Sequence, residues 1–296
     1  MKSLTLRAPA KINLYLDVLG KLKDNYHEIE SIVQSVSVYD ILYFEKIKQG
    51  IKVICDCPSL TCREDNLVYK AAKLFFSLTG LTPGVKITVK KEIPVGAGLG
   101  GGSSDAATTL LGLNILFATG IPLSDLINYS SRLGMDVPFC LLKGTALLKG
   151  KGDEVHPLPP IKKGWIVLVY PDIPISTSWV YSRISGRLTD NKLDGKLNIN
   201  DLKRRIKSNG LLGMKDLLYN KLEEVVIEEF PLIKEIKEKF NKRGAKGVLM
   251  SGSGSTVFGL VEDAKNAQIM ATWMQVSGKV YLAQPTEEKV QQGGLG

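Results

Sequence analysis

The richest chemical pattern in the sequence is the glycine-rich segment Gly96-Ala-Gly-Leu-Gly-Gly-Gly-Ser-Ser104. Glycines let a backbone turn sharply and approach a ligand closely. The segment leads into a helical pattern, so its serines and free N–H groups fall at a helix N-terminus, where the backbone dipole favours anions. Five glycines in the seven residues 96–102 are more than a strand-to-helix turn requires. The pattern therefore predicts a phosphate cradle.

Other phosphate-binding motifs fit this segment poorly. Gly96, Gly98 and Gly101 satisfy the spacing G-x-G-x-x-G of dinucleotide-binding proteins, but that match alone is weak. The dinucleotide motif follows a hydrophobic strand, whereas Lys90, Lys91 and Glu92 stand here. A Walker A motif and the catalytic loops of protein kinases do not occur in the sequence.

Two charged residues are candidates for acid–base work and charge neutralisation. Asp136 follows a helix stop at Gly134, and with an ordinary pKa near ~3.9 its carboxylate is able to accept a proton at neutral pH. Lys11 lies on the polar side of an alternating strand. On the residues alone, an ordinary helix N-cap for Asp136 and a solvated lysine for Lys11 remain the commoner explanations.

These residues are positioned by a mixture of strands and helices. Residues 4–18 alternate as a half-buried strand with Lys11 and Asn13 on one face, and Lys23–His27 form a turn in which Asn25 tolerates a left-handed backbone. The pattern predicts further strands at 32–38, 41–47, 51–55, 85–91, 165–170, 246–250, 256–261 and 279–283. It predicts helices at 66–79, 105–119, 123–133, 178–186, 200–208, 215–227, 231–243 and 263–276. Because strands and helices do not alternate regularly, an α+β fold is favoured.

Length and composition indicate the number of domains and exclude several classes of protein. The 296 residues suffice for about two domains, and the prolines of residues 157–160 place a boundary near 155–162. The net charge of +9 suits anionic partners. The four cysteines do not form a disulfide scaffold, and Cys55, Cys57 and Cys62 lack the spacing of a zinc site. No apolar run is long enough to span a membrane and no signal peptide is evident, so we expect a cytoplasmic protein.

Several motifs together resemble the GHMP kinases, a superfamily named for galactose, homoserine, mevalonate and phosphomevalonate. The resemblance covers the chain to about residue 283 and is carried by Ala8-Pro-Ala-Lys-Ile-Asn-Leu-Tyr-Leu16, Asp24-Asn-Tyr-His-Glu-Ile29, Glu64-Asp-Asn-Leu67, Pro94–Ala107, Gly134-Met-Asp-Val-Pro-Phe139 and Ser251-Gly-Ser-Gly-Ser-Thr-Val-Phe258. Within the superfamily, the first two motifs are similar to those of members that phosphorylate 4-diphosphocytidyl-2-C-methyl-D-erythritol in the non-mevalonate isoprenoid pathway. Asn25 stands where that turn usually has glycine, and Met135 where alanine is common.

The resemblance implies a two-domain α+β fold. It implies a ribosomal-protein-like ATP-binding domain at 1–158 and a ferredoxin-like domain at 159–284. The polar, glycine-rich composition of the chain end predicts a flexible tail at 285–296. The implied reaction transfers the γ-phosphoryl group of ATP, with Mg²⁺, to the 2-hydroxyl of the methylerythritol unit.

The resemblance also assigns roles to individual residues. Asp136 is the implied base and Lys11 the implied cation beside it. The implied ATP-binding residues are Pro94, Val95, Gly96, Ala97, Gly98, Leu99, Gly100, Gly101, Gly102, Ser103 and Ser104. The implied substrate-binding residues are Asn13, Tyr26, His27, Thr177, Tyr181, Gly252 and Ser253, with Tyr26 and His27 holding the cytosine. Ser103 and Ser104 can contact phosphate or metal, but no set of metal ligands follows from the sequence.

Two rival functions remain at this point. One is another small-molecule kinase of the superfamily, acting on homoserine or mevalonate. The other is an RNA-binding module, suggested by the net charge and by the basic run at residues 203–207, although no aromatic RNA-binding signature accompanies that run. We expect a small cytidine-diphosphate substrate, no nucleic acid or membrane partner, and a monomer or weak homodimer.

Overall fold

The computed structural model describes residues 1–58, 60–61, 63–82, 84–187 and 199–287. Its strands are β1 (Ser3–Lys21), β2 (His27–Ile47), β3 (Ile51–Cys55), β4 (Gly84–Lys90), β5 (Thr145–Lys149), β6 (Glu154–Pro157), β7 (Trp165–Tyr170), β8 (Tyr219–Asn220), β9 (Gly247–Met250), β10 (Val257–Val261) and β11 (Lys279–Ala283). Its α-helices are α1 (Leu67–Thr79), α2 (Gly101–Leu116), α3 (Leu123–Ser130), α4 (Val137–Leu142), α5 (Thr177–Ser185), α6 (Ile199–Asn209), α7 (Glu223–Glu229), α8 (Pro231–Lys242) and α9 (Ala264–Met274). Two 3₁₀ segments cover Gly210–Leu217 and Gln275–Ser277.

The first sheet is built around the long antiparallel pair β1 and β2. Its main order is β3-β4-β2-β1-β8, and β5 and β6 extend it from another part of β2. Strand β4 pairs with Ile41–Ile47 of β2, while β5 pairs with Ser31–Gln34. The predicted separate strands at 32–38 and 41–47 are therefore wrong, because β1 pairs along both stretches and keeps them in one continuous strand.

The second sheet is antiparallel, with the order β11-β7-β10-β9. Its strands all come after Trp165, and those of the first sheet end at Pro157 except for β8. Strand β8 pairs in parallel with Tyr15 and Leu16 of β1, so a short piece of the second half completes the first sheet.

One hydrophobic core runs through both halves. Ile12 and Leu14 of β1 cluster with Ile166 and Leu168 of β7 and with Phe258 of β10, and all five are fully buried. Burying these side chains supplies the main driving force that keeps the sheets together. The face of β1 that carries Lys11 and Asn13 is also buried, so β1 is not the half-buried strand that the alternation predicted.

Local signals fixed one helix as expected and misplaced another. The predicted helix at 66–79 is confirmed: the Asn66 side chain accepts a hydrogen bond from the N–H of Val68, and Gly80 ends the helix in a left-handed conformation. Helix α2 begins at Gly101, four residues before the predicted Asp105. Gly100 takes the left-handed N-cap position, with φ of 67°, so the chain enters the helix earlier.

Two further expectations change in the second half. The helix predicted at 215–227 is replaced by the 3₁₀ segment Gly210–Leu217, strand β8 and helix α7, because the chain first pairs with β1. The predicted tail begins too early, since Pro285 bridges to Val36 and the N–H of Thr286 donates to the carbonyl of Ser35 at 2.9 Å. The rest of that prediction, residues 288–296, and Cys62 lie outside the described residues. No helix of the described residues is long and apolar enough to cross a membrane.

Candidate active site

A cavity of about 990 Å³ lies between the two halves of the molecule. Side chains from β1, from the glycine-rich segment and from the turn before α4 line it on the first side. The second half contributes α5 and the loop between β9 and β10, which carry Thr177, Tyr181, Gly252 and Ser253. All the residues implied by the resemblance except Leu99 and Ser104 therefore line one cavity, although they are far apart in sequence.

Lys11 and Asp136 form an ion pair inside this cavity, with 3.3 Å between Lys11 Nζ and Asp136 Oδ2. Strand β1 buries the lysine side chain to 7% exposure, whereas 37% of the Asp136 side chain is exposed. Asp136 occupies the N-cap position of α4, but its side chain makes no capping hydrogen bond. The carboxylate faces the lysine instead, which favours a chemical role over that of an ordinary cap.

A short chain of hydrogen bonds holds Lys11 in place. Lys11 Nζ donates to Asn13 Oδ1 at 2.8 Å, and Asn13 Nδ2 donates to the hydroxyl of Ser31 at 2.8 Å. The Ser31 hydroxyl in turn donates to the carbonyl of Tyr15 at 2.6 Å. Because every polar atom of this chain has a partner, the ammonium is aimed at the cavity at little cost in ordering.

The glycine-rich segment presents the N-terminus of α2 to the cavity. No side chain caps this helix, so its first N–H groups are left for a ligand, and the helix dipole favours negative charge there. The backbone N–H of Lys11 donates to the carbonyl of Leu99 at 2.9 Å, which ties the segment to β1. Ser103 lines the cavity, whereas Leu99 and Ser104 are buried below it.

The second glycine-rich loop, at residues 251–255, interlocks with the first. The Ser251 hydroxyl donates to the carbonyl of Gly98 at 3.0 Å and accepts from the N–H of Asn13 at 3.3 Å. A Cβ on Gly98 would lie 2.1 Å from the carbonyl oxygen of Ser251, so only glycine fits. Ser251 was not among the predicted site residues, although its motif was recognised.

Asn220, which no sequence motif marks, holds the same loop from the other side. Its side-chain amide donates to the carbonyls of Met250 and Gly252, at 2.8 Å each, and its oxygen accepts from the N–H of Leu222. The loop then places Ser253, whose hydroxyl lies 2.9 Å from that of Thr177 on α5. Asn220 is recognisable only once β8 is seen beside β1.

The far end of the cavity is aromatic. The ring of His27 lies against that of Tyr181, with centroids 5.1 Å apart, and His27 Nε2 is 2.6 Å from the hydroxyl of Ser185. Burial, together with the nearby charge of Lys21, lowers the pKa of His27, so the imidazole is neutral at neutral pH. Burial and the charge of Asp136 raise the pKa of Tyr181, which keeps the phenol protonated.

Tyr26 reaches this end of the cavity from the turn between β1 and β2, with 49% of the residue exposed. Asn25 has φ of 67°, so the expected left-handed position in that turn is confirmed. Tyr26 and Tyr181 line the same cavity. The ring of Tyr181 lies against that of His27 and not against that of Tyr26.

A buried charge cluster supports the first glycine-rich segment from below. Lys91 Nζ pairs with Asp40, and it lies 2.8 Å from Asp105 Oδ2. Asp40 also accepts from the N–H groups of Glu92 and Ile93, at 2.7 and 2.8 Å. The cluster thus fixes both the entry to the segment and the first turns of α2. The sequence showed Lys91 only as an obstacle to a dinucleotide motif.

A second cavity of about 290 Å³ adjoins the main one beyond Gly102. It shares Leu60, Leu67, Lys91 and Gly102 with the main cavity and is lined further by Thr61, Asn66 and Val89, among others. Its walls combine apolar side chains with polar ones, among them Asp65 and Asp105.

Comparison with known proteins identifies the class of molecule. The model of the GHMP kinase N-terminal domain matches residues 66–144, and that of the GHMP kinase C-terminal domain matches residues 197–274. A homoserine kinase from Cytophaga hutchinsonii, 18% identical, shares the fold with a TM-score of 0.67 over 98% of this chain and 96% of that chain. The fold is that of a GHMP-type small-molecule kinase, a two-domain α+β transferase.

Nearer relatives narrow the class. The 4-diphosphocytidyl-2-C-methyl-D-erythritol kinase of Clostridium novyi (strain NT) is 44% identical over 262 residues, which cover 88% of this chain and 92% of the relative. That of Acaryochloris marina is 38% identical over 94% of this chain and 93% of the relative. A crystal structure of a 4-(cytidine 5'-diphospho)-2C-methyl-D-erythritol kinase, 34% identical, superposes with a TM-score of 0.79 over 95% of this chain and 98% of that chain. The chain belongs to the 4-diphosphocytidyl-2-C-methyl-D-erythritol kinase family.

Proposed function

We propose that this enzyme transfers the γ-phosphoryl group of ATP to the 2-hydroxyl of 4-diphosphocytidyl-2-C-methyl-D-erythritol. The products are the 2-phosphate and ADP, in the formation of isoprenoid precursors. Family membership supports the substrate, and the ion pair between Lys11 and Asp136 beside the N-terminus of α2 is the single observation that carries the mechanism.

The donor nucleotide binds along the first glycine-rich segment. The N–H groups at the start of α2 hold its phosphates, and the adenine occupies the smaller cavity beyond Gly102. In this arrangement the γ-phosphate lies at the end of the segment nearest Lys11. The backbone N–H of Lys11 donates a hydrogen bond to the carbonyl of Leu99 in that segment. The buried cluster of Lys91, Asp40 and Asp105 keeps the segment in place.

The acceptor enters from the aromatic end. Its cytosine stacks on Tyr26 beside His27 and Tyr181. The rest of the acceptor faces Asn13, Thr177, Gly252 and Ser253. Since base–aromatic stacking contributes roughly 1–3 kcal/mol, this end supplies much of the recognition. The neutral imidazole of His27 acts in binding and not as a base.

The reaction forms one P–O bond and breaks another. The acceptor hydroxyl oxygen attacks the γ-phosphorus, the bond to the β-phosphate oxygen breaks, and the hydroxyl proton passes to Asp136. The ammonium of Lys11, 3.3 Å from Asp136 Oδ2, offsets charge on the transferring oxygens. Positioning and charge neutralisation are the main demands of phosphoryl transfer.

Magnesium fits the site as a companion of the phosphates. Mg²⁺ is usually held by one or two protein oxygens together with substrate phosphates, so a dedicated cluster of ligands is not required. The hydroxyl of Ser103 on the cavity wall would hold it together with the phosphates of ATP. When bound, the ion neutralises charge on the phosphates.

The cytoplasmic location and the oligomeric state remain predictions.

The test is an ADP-release assay with Mg-ATP and three separate acceptors: 4-diphosphocytidyl-2-C-methyl-D-erythritol, mevalonate and homoserine. We expect turnover with the first acceptor alone. Turnover with mevalonate or homoserine, and none with the cytidine compound, would overturn the proposal.

A further inference from the structure

Two hairpin tips meet at the aromatic end of the cavity. One is the turn between β1 and β2, which carries Asp24 and Tyr26, and the other is the turn between β5 and β6, which carries Lys151. All three side chains line the cavity. The N–H of Ile29 donates to the carbonyl of Gly150 at 2.8 Å, which joins the base of one turn to the other.

Lys151 makes two contacts with the opposite turn. Its ammonium pairs with the carboxylate of Asp24, and it lies 5.0 Å from the centre of the Tyr26 ring. Asp24 in turn accepts a hydrogen bond from the N–H of Tyr26 at 3.2 Å. Hydrogen bonding to Lys151 lowers the pKa of Asp24, and the same bond raises the pKa of Lys151, so both groups are charged at neutral pH.

These contacts are poorly suited to stabilising the fold. Exposed ion pairs contribute little to stability and are screened by salt. Their position suits another task, since Tyr26 lies on a turn, half exposed, and has Asn25 in a left-handed conformation beside it. A ring that is already ordered loses less freedom when a base stacks on it.

We propose that Lys151 is a positioning residue for the acceptor. Its ion pair with Asp24 and its contact with the Tyr26 ring hold that ring in the orientation that receives the cytosine. The proposal rests on the proposed function, because it assumes that Tyr26 stacks on the acceptor's base. It adds a determinant of acceptor binding from a hairpin outside the motifs discussed above.

The primary experiment compares steady-state kinetics of the wild type and Lys151→Met. We expect KM for 4-diphosphocytidyl-2-C-methyl-D-erythritol to rise about three- to tenfold, as fits the loss of one cation–π contact and one exposed ion pair. We expect kcat and KM for ATP to stay within about twofold, because the chemistry and the nucleotide site are untouched. The matched control is Lys149→Met, on the same hairpin, whose ammonium pairs with Glu30. An unchanged KM for the acceptor in Lys151→Met would overturn the proposal.

Two double variants test how Lys151 acts. If it works through the turn, Asp24→Asn and Lys151→Met together raise KM less than the product of their separate effects. If it works through the ring, Lys151→Met has no further effect on KM in a Tyr26→Leu background. A full effect in that background would show that Lys151 contacts the acceptor directly, and would overturn the positioning role.

A failure of the proposed function can be distinguished from a failure of the proposal for Lys151. It would appear as a lack of turnover in the wild type before any variant is compared. In that case hydrogen exchange still tests whether Lys151 holds the turn that carries Tyr26. The amides of Tyr26 and Ile29 should exchange faster in Lys151→Met than in Lys149→Met. Equal exchange in the two variants would contradict it.

Discussion

At the scale of single residues, burial gives ordinary side chains their roles. Lys11 is 7% exposed, and its hydrogen bond to Asn13 leaves it facing Asp136. A buried ammonium needs such partners, because an unpaired buried charge is costly. Asp136 remains one-third exposed, which leaves its carboxylate open to an incoming hydroxyl.

The buried cluster below the glycine-rich segment makes a pH-dependent contribution to stability. Burial raises the pKa of Asp105 to about 8, with help from the charge of Asp40 and against the attraction of Lys91. One cation and two carboxylates leave an excess negative charge, which a proton on Asp105 removes. The folded state therefore holds a proton that the unfolded state loses near pH 4.

We predict that Asp105→Asn removes part of the pH dependence of stability. In the wild type, the contribution of Asp105 is fully present below the unfolded pKa and is lost as the pH rises toward about 8, whereas a neutral amide has no such slope. Urea unfolding at several pH values between about 5 and 8 measures the difference between the two proteins. Parallel stability profiles would show that Asp105 is ionised throughout.

At the scale of elements, two glycine-rich loops from different halves contact each other and line the candidate site. The loop at 251–255 is held by Asn220 and touches the first segment through Ser251. The N–H of Thr256 also donates to the carbonyl of Ala97 at 3.2 Å. Because each loop is held partly by hydrogen bonds to the other, a change in one is expected to affect both.

We predict that Gly98→Ala impairs both folding and nucleotide binding. Gly98 has φ of 75°, and an added Cβ would meet the backbone of Ser251. We expect a loss of about 2 kcal/mol or more in the free energy of unfolding, and a higher KM for ATP. Gly20→Ala is the control, since nothing lies within 4 Å of its added Cβ. If the two variants behave alike, the loops do not interlock as described.

At the scale of the whole molecule, the two halves share a core and a sheet. Strand β8 returns to β1, and the cluster around Ile12, Leu168 and Phe258 crosses the cleft. The candidate catalytic residues Lys11 and Asp136 are therefore aligned by the same packing that joins the halves. The cleft is bounded by elements that cannot separate without exposing buried apolar surface.

We predict that the halves unfold together. Trp165, Trp179 and Trp273 all lie in the second half, so tryptophan fluorescence reports that half, whereas far-UV circular dichroism reports both. The two urea midpoints should coincide, and Phe258→Ala should lower both equally, with a loss of about 3–5 kcal/mol. Separate midpoints would show that the halves fold independently.

Much of this architecture was predictable where the signal was local. The capped helix α1 and the turn at Asn25 both follow from neighbouring residues, whereas the alternation of β1 predicted the strand but not the burial of both its faces. Lys11 and Asp136 were singled out by motifs, and their juxtaposition in the structure agrees with the roles implied for them.

What could not be predicted depends on distant pairing. Asn13 and Ser251 are separated by 238 positions, and Asn220 acquires its role only through β8. The cluster of Lys91, Asp40 and Asp105 joins a strand, a connecting segment and a helix through charges that, read singly, resemble solvated side chains. No pattern within a short window records such contacts.

In the proposed reaction Asp136 accepts the proton of the acceptor hydroxyl, and the turnover number of Asp136→Asn tests this role. The substitution keeps size and polarity but removes the carboxylate, so we predict a fall in kcat of about 10²- to 10⁴-fold, with KM for ATP and thermal stability near wild-type values. The measurement is ADP release with Mg-ATP and 4-diphosphocytidyl-2-C-methyl-D-erythritol. A kcat within about tenfold of the wild type would show that Asp136 is not the general base, because losing a general base lowers kcat by more than tenfold.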